Sequence, residues 1–261
     1  MNRSPRIRHL AAKVLFCVLL CFFFISRSEN LFAEAAMDET QRIASIINKV
    51  IEVYGGRAAI EGIHAIHAKG EIEAFMLNDR GTYELYFKRG RKLRVETKYS
   101  RSWELRILNG DKGYKASESL PVEEAFGPRY LAMVYHYKHL DILHDLVKGT
   151  YQIRSAGRSS LNGTAVEVFH LNDKEGGVLD IFVDERNSLI VKVTGYFSAD
   201  NKSTYLSAEF SDFKSVGGSL FPFRITNYAG GMKIAQTVID KYLINPEIAD
   251  SMFEPAVIHS F

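Results

Sequence analysis

Between Gly70 and Leu243, apolar and polar side chains alternate in short runs, separated by turns rich in Gly and Asn. A period of two sends successive side chains to opposite faces of a strand, so each run wants one face buried and the other wet. Five candidate strands fall between Ala65 and Ala116, and seven between Tyr151 and Leu243. Many strands joined by short turns predict a barrel or sandwich, and no long linker or solenoid repeat divides them. The pattern breaks once, over Pro121–Val147, where Met133, Tyr137, Leu140, Leu143, His144 and Val147 recur at helical spacing. A sheet with one apolar face needs a cover, and this segment is the main candidate. Pro121, Gly127 and Pro128 at its entrance predict broken helical pieces rather than one rod. Its stripe fits equally a movable lid and a fixed packing helix.

An earlier helix is predicted from Asp38, with Ile43, Ile46, Ile47, Val50, Ile51 and Tyr54 on one stripe and Gly55-Gly56 as its stop. Ahead of it, Arg3, Arg6, Arg8 and Lys13 precede an apolar run, Val14–Ile25, too short for the ~20 residues of a membrane span. Ala33-Glu34-Ala35 carries small residues where a signal peptidase reads, so residues 1–35 are expected to be a cleaved leader, with an uncleaved anchor as the alternative. Leu20 before Cys21 argues against a lipid-modified N-terminus. Cleavage would remove both cysteines, Cys17 and Cys21, together with five of the 33 basic and two of the 31 acidic residues, leaving 28 against 29. A working chain at net −1 has no electrostatic case for nucleic acid. What remains, Ala36–Phe261, is 226 residues, enough for one well-filled domain.

Two hairpins can be taken to register. A three-residue loop at Lys88-Arg89-Gly90, with Gly90 left-handed, sets Leu85 opposite Leu93, Tyr83 opposite Val95 and Glu84 opposite Arg94. A loop at Ser100-Arg101-Ser102 pairs Glu96 with Arg106, Lys98 with Glu104 and Tyr99 with Trp103. Both give one greasy face and one charged face, the latter expected to be solvated. Tyr83, Leu85, Phe87, Leu93, Val95, Trp103, Leu105 and Ile107 are then candidate cavity residues, joined by Met133 and Tyr137 from the helical segment. The same residues would serve a solid core. A pocket burying ~10 methylenes would gain roughly 8 kcal/mol, at ~0.8 kcal/mol per CH₂.

Catalytic spacing is missing. No Gly-x-Ser-x-Gly elbow, phosphate loop or dinucleotide fingerprint occurs, and Glu123-Glu124 are neighbours rather than facing carboxylates. His136, His139 and His144 lie near Asp141 and Asp145, but gaps of three and five suit a metal-binding helix poorly. The expectation is a binding protein without cofactor, metal or enzymatic turnover.

Three segments carry a family resemblance: Val53-Tyr54-Gly55-Gly56 with Ile63-His64-Ala65-Ile66 and Gly70; Val216-Gly217-Gly218-Ser219-Leu220-Phe221-Pro222-Phe223; and Asn245-Pro246 with Ser251, Phe253 and Pro255. Together they resemble the LolA-like superfamily of periplasmic lipoprotein carriers and outer-membrane lipoprotein-sorting proteins. The resemblance implies a mainly β, α+β architecture: a single incomplete antiparallel β-barrel with helices across its open side, spanning residues 36–261. It also implies a periplasmic carrier that holds a lipid or the acyl chains of a lipoprotein and sorts it toward the outer membrane, with membrane-bound donor and acceptor proteins as possible partners. An envelope sensor or scaffold of the same fold, binding a membrane protein, is the alternative. Leu85-Tyr86-Phe87-Lys88-Arg89, followed by Asn109-Gly110, is similar to the strand end where the carriers keep a lid-holding arginine. That makes Arg89 the candidate latch, with Gly90 where the family has proline.

Overall fold

A computed structural model describes residues 38–174, 177–199 and 202–255. The expected leader, with Cys17 and Cys21, lies outside the described residues. The chain divides into two compact units, Met1–Ile46 and Ile47–Phe261. The described part of the first, 38–46, is helical and holds an Arg42–Glu39 ion pair at 2.9 Å.

Helix α1 covers residues 38–53 and α2 covers Gly56–Gly62. Gly55 separates them with φ 106°, so the predicted stop is real, although a second short helix follows it at once. Six strands come next: β1 (Ala65–Ala74), β2 (Asp79–Lys88), β3 (Lys92–Tyr99), β4 (Trp103–Asn109), β5 (Lys112–Ser117) and β6 (Leu120–Ala125). Helix α3 (Pro128–Lys148) then leads into β7 (Gln152–Leu161), β8 (Thr164–Asn172), β9 (Val178–Asp184) and β10 (Ile190–Ala199). The last strands are β11 (Lys202–Val216), β12 (Ser219–Ala229) and β13 (Met232–Ile244), and a 3-10 turn at Asp250–Phe253 follows them.

All thirteen strands form one open antiparallel sheet in the order β6-β5-β4-β3-β2-β1-β13-β12-β11-β10-β9-β8-β7. It consists of two meanders, β1–β6 and β7–β13, sewn together where β1 pairs with β13. The edges are β6 and β7, which are consecutive in sequence, so the chain must return from one edge to the other between them. Helix α3 makes that return. Its 21 residues span about 32 Å at 1.5 Å each, and it packs on β3, β4 and β5 of one meander and on β10 of the other. Pro128 at the first turn and Gly149, left-handed at φ 65°, mark its ends.

The expected broken helical pieces are not found. Pro121 lies in β6 instead, and an edge strand tolerates a residue without an N–H. The helix that follows is continuous, because its first proline already sits where helices accept one.

Two registers differ from the sequence reading. The β2–β3 loop is Arg89–Arg91, one residue later than predicted, with Gly90 at φ 89° and Arg91 at φ 61°. Leu85 therefore faces Val95, Phe87 faces Leu93, Tyr86 faces Arg94 and Glu84 faces Glu96. A shift of two in pairing keeps every side chain on its predicted face. The β3–β4 turn is tighter than predicted: Tyr99 N–H donates to Ser102 O at 2.8 Å around Ser100-Arg101. Lys98 consequently faces Trp103, Glu96 faces Leu105 and Val95 faces Arg106. A slip of one residue exchanges the faces of a whole strand.

The inner cluster under α3 therefore holds Ile66, Ala68, Ile72, Tyr83, Leu85, Phe87, Leu93, Val95, Leu108 and Ile239 with Met133 and Tyr137. Leu105, Ile107 and Trp103 lie on the other side, packed by Ile248, Met252 and Phe253. Part of that outer face is covered rather than solvated. Arg94 is 1% exposed, donating to Glu96 Oε1 at 2.5 Å and to Met252 O at 3.1 Å.

Candidate functional site

An apolar cavity of about 100 Å³ lies under α3. Tyr54, Ile60, Ile63, Ile66 and Phe87 supply one wall, and Ile190, Val193, Phe210, Phe213, Phe221, Ile225 and Tyr242 the other. Leu140, Ile142 and Leu143 of α3 close it, beside His139, Asp141 and His144. Asp212 sits at φ 55° within β11, and this left-handed residue interrupts the alternation so that Phe210 and Phe213 both reach the cavity. Ligand clefts typically measure ~300–1,000 Å³, so this is a small, partly open cavity with room for a short apolar group.

Of the cavity candidates read from sequence, Phe87 lines this space. Tyr83, Leu85, Leu93, Val95, Met133 and Tyr137 form the adjoining solid cluster between sheet and helix. Trp103, Leu105 and Ile107 are on the opposite face of the sheet, displaced there by the one-residue register difference. The wall from β10–β12 was missed, although its residues alternate as plainly. The sequence held no sign of which end of the sheet would stay open.

The wall is positioned by two of the glycine segments. Ser219 Oγ donates to Tyr54 O at 2.6 Å, and Ile190 N–H donates to Tyr54 Oη at 3.2 Å. A Cβ on Gly55 would stand 2.1 Å from Gly218 O, so the α1–α2 corner can meet the β11–β12 turn only as glycine. Residues 53–56 and 216–223, far apart in sequence, thus form one structural joint.

At the cavity's polar end, the turn after β2 presents Arg89. Its own N–H donates to His64 O at 2.9 Å, which holds the turn on β1. Nη2 donates to Ile60 O at 2.7 Å and Nη1 to Glu61 O at 2.8 Å, at the carbonyl end of α2. Nε reaches Asp141 Oδ1 of α3 at 3.3 Å. One planar fork therefore joins the sheet to both helices. Two further ties link α2 and α3: Arg57 Nη1 donates to Val147 O at 2.6 Å, and Lys148 meets Glu61 at 3.1 Å.

Asp141 is 8% exposed and also accepts from Tyr137 Oη at 3.2 Å. Burial, with the charge of Asp145 behind it, pushes its carboxyl up to about 6 against the opposing pull of Arg89. Asp141, His144 and Asp145 place one ligand atom each within 4.8 Å of one another, a cluster the sequence spacing discounted. The Arg89 guanidinium on Asp141 and the Tyr151 hydroxyl on Asp145, at 3.0 Å, already answer these carboxylates. A cation there would compete with a fixed positive charge.

No protein-family model matches the chain, and no curated protein matches it in sequence. Its fold does match solved structures. A LolA superfamily protein from Nitrosomonas europaea superposes with a TM-score of 0.50 at 13% identity, over 81% of this chain and 96% of that one. A DUF1329 family protein from Desulfovibrio piger gives a TM-score of 0.51 at 13% identity, with the same coverage of each chain. The fold is LolA-like: an open antiparallel sheet with helices across one side.

Proposed function

We propose that this protein is a periplasmic carrier that shelters the acyl part of a lipid or lipoprotein beneath α3 and acts by binding rather than turnover. The observation that carries this reading is the apolar cavity whose cover is tied to the sheet and to α2 by the Arg89 fork. Each buried methylene would contribute ~0.8 kcal/mol, so a chain of modest length would be held once binding costs are met. The cavity as it stands is too small for a long acyl chain, so on this reading α3 moves away from β10–β12 as cargo enters. No helix among the described residues is long and apolar enough to cross a membrane, which is compatible with a carrier between membranes.

Mass spectrometry of lipids extracted from the purified protein tests the proposal. Acyl lipids in near-stoichiometric amount are expected. A ligand-free protein with no measurable affinity for any acyl lipid would remove it. The small size of the cavity also fits a second reading, in which the same fold senses envelope lipids or scaffolds a membrane protein. Capture of one stable membrane partner, with no lipid transfer between vesicles, would favour that reading.

A further inference from the structure

The cavity is apolar except in two places. One is the Arg89–Asp141 end, where those two groups answer each other and α2, with His144 Nδ1 beside them at 3.6 Å from Asp141 Oδ1. The other is His139, in the fourth turn of α3. Its residue is 8% exposed, and neither ring nitrogen has a hydrogen-bond partner among the described residues. The imidazole is held in place by rings: stacked on His136 at 4.9 Å, edge-on to Tyr135 at 5.3 Å and tilted against Phe210 at 5.8 Å. The Tyr135 hydroxyl donates to Val193 O at 3.0 Å and makes no hydrogen bond to the ring.

Burying a hydrogen-bonding group without a partner is costly, and His139 buries two such atoms in a wall where a leucine would fit the apolar surroundings. Burial pushes its pKa down to about 3, so the ring stays neutral through the physiological range. A neutral imidazole presents one N–H donor and one lone pair and no charge.

We propose that His139 is the polar anchor of the cavity, pairing with an uncharged hydrogen-bonding group, a hydroxyl or ester, carried on an aliphatic chain. This deepens the carrier reading and rests on it. The cavity would then favour esterified or hydroxylated acyl chains over plain hydrocarbon. An ionised carboxylate accepting the ring N–H would be buried there without a counter-charge, and at the other end would have to displace Asp141 from Arg89.

The full chain, labelled with ¹⁵N at histidine, would be titrated at neutral pH with 1-hexanol, hexane and hexanoate, short enough for the small cavity. Expected are a shift of the His139 ring nitrogens with 1-hexanol and none with hexane. The Kd ratio of 1-hexanol to hexane should rise about tenfold in His139→Phe, which keeps the ring contacts, since tenfold is the ~1.4 kcal/mol of one buried hydrogen bond. Hexanoate should leave the His139 signals in place. Binding of 1-hexanol and hexane with no movement of those signals and an unchanged ratio in the variant would overturn the anchor while leaving the carrier reading intact. If neither hexane nor 1-hexanol binds, the anchor and the carrier reading both fall. The nitrogen shifts come from the unsubstituted protein, so the result stands even where His139→Phe folds poorly.

Discussion

Arg89 and Asp141 set what happens at the residue scale. The guanidinium donates to Ile60 O, Glu61 O and Asp141, and hydrogen bonds to a charged group are worth ~1.5–3 kcal/mol each. Arg57 and Lys148 also tie α2 to α3, so losing Arg89 loosens the cover without freeing it. Arg89→Leu should speed release of a bound fluorescent fatty acid by about tenfold or more in stopped-flow displacement. Arg89→Lys, with charge but no fork, should fall between. Unchanged release would remove the latch role. Asp141 titrates in the opposite sense to an ordinary ion-paired carboxylate. Its folded pKa, about 6, lies above the ordinary aspartate value of 3.8. Its contribution to stability is therefore complete below pH 3.8 and is lost as pH rises through about 6. Asp141→Asn should flatten the pH dependence of the thermal midpoint over that window, and carboxyl NMR should give a midpoint near 6. A midpoint near 4 would show Arg89 outweighing burial.

At the scale of elements, turns decided more than strand composition did. The β2–β3 faces could be read because glycine marked the turn and an error of two in pairing preserves parity. The β3–β4 faces could not, because Ser100-Arg101 closes a tight turn without glycine and an error of one reverses parity. Leu105 and Ile107 then owe their burial to a distant segment: Phe253 is fully buried over them. Phe253→Ala should cost ~3–5 kcal/mol, as large-to-small core changes do, and urea unfolding would measure it. A loss below ~1 kcal/mol would mean that the C-terminal turn only rests on the sheet. The glycine joint makes a similar demand. Gly55→Ala combines a backbone at φ 106° with a Cβ 2.1 Å from Gly218 O, so it should destabilise by more than the ~1 kcal/mol of a simple helix-end change.

For the whole molecule, the topology forces function to one side. With β6 and β7 at opposite edges, α3 must cross one face, while the C-terminal segment covers part of the other. The single tryptophan, Trp103, lies on the C-terminal side. Its emission should shift on unfolding in urea and stay in place when an acyl ligand fills the cavity under α3. A ligand-induced shift would place the ligand on the wrong face.

Alternation and turn residues alone determined an antiparallel, helix-covered β fold, the position of its one long interruption and most inward parities, because period two is a local property of the chain. The resemblance, not the pattern, pointed to Arg89. Only the tertiary structure decided that β1 pairs with β13, that α3 is continuous, that Trp103, Leu105 and Ile107 face away from the cavity, and that His139 stands unpaired inside it. The β1–β13 pairing joins residues more than a hundred apart, the outward faces turn on a single residue of register, α3 is unbroken because Pro121 lies in β6, and the rings around His139 meet only on folding. None of these leaves a trace in local periodicity.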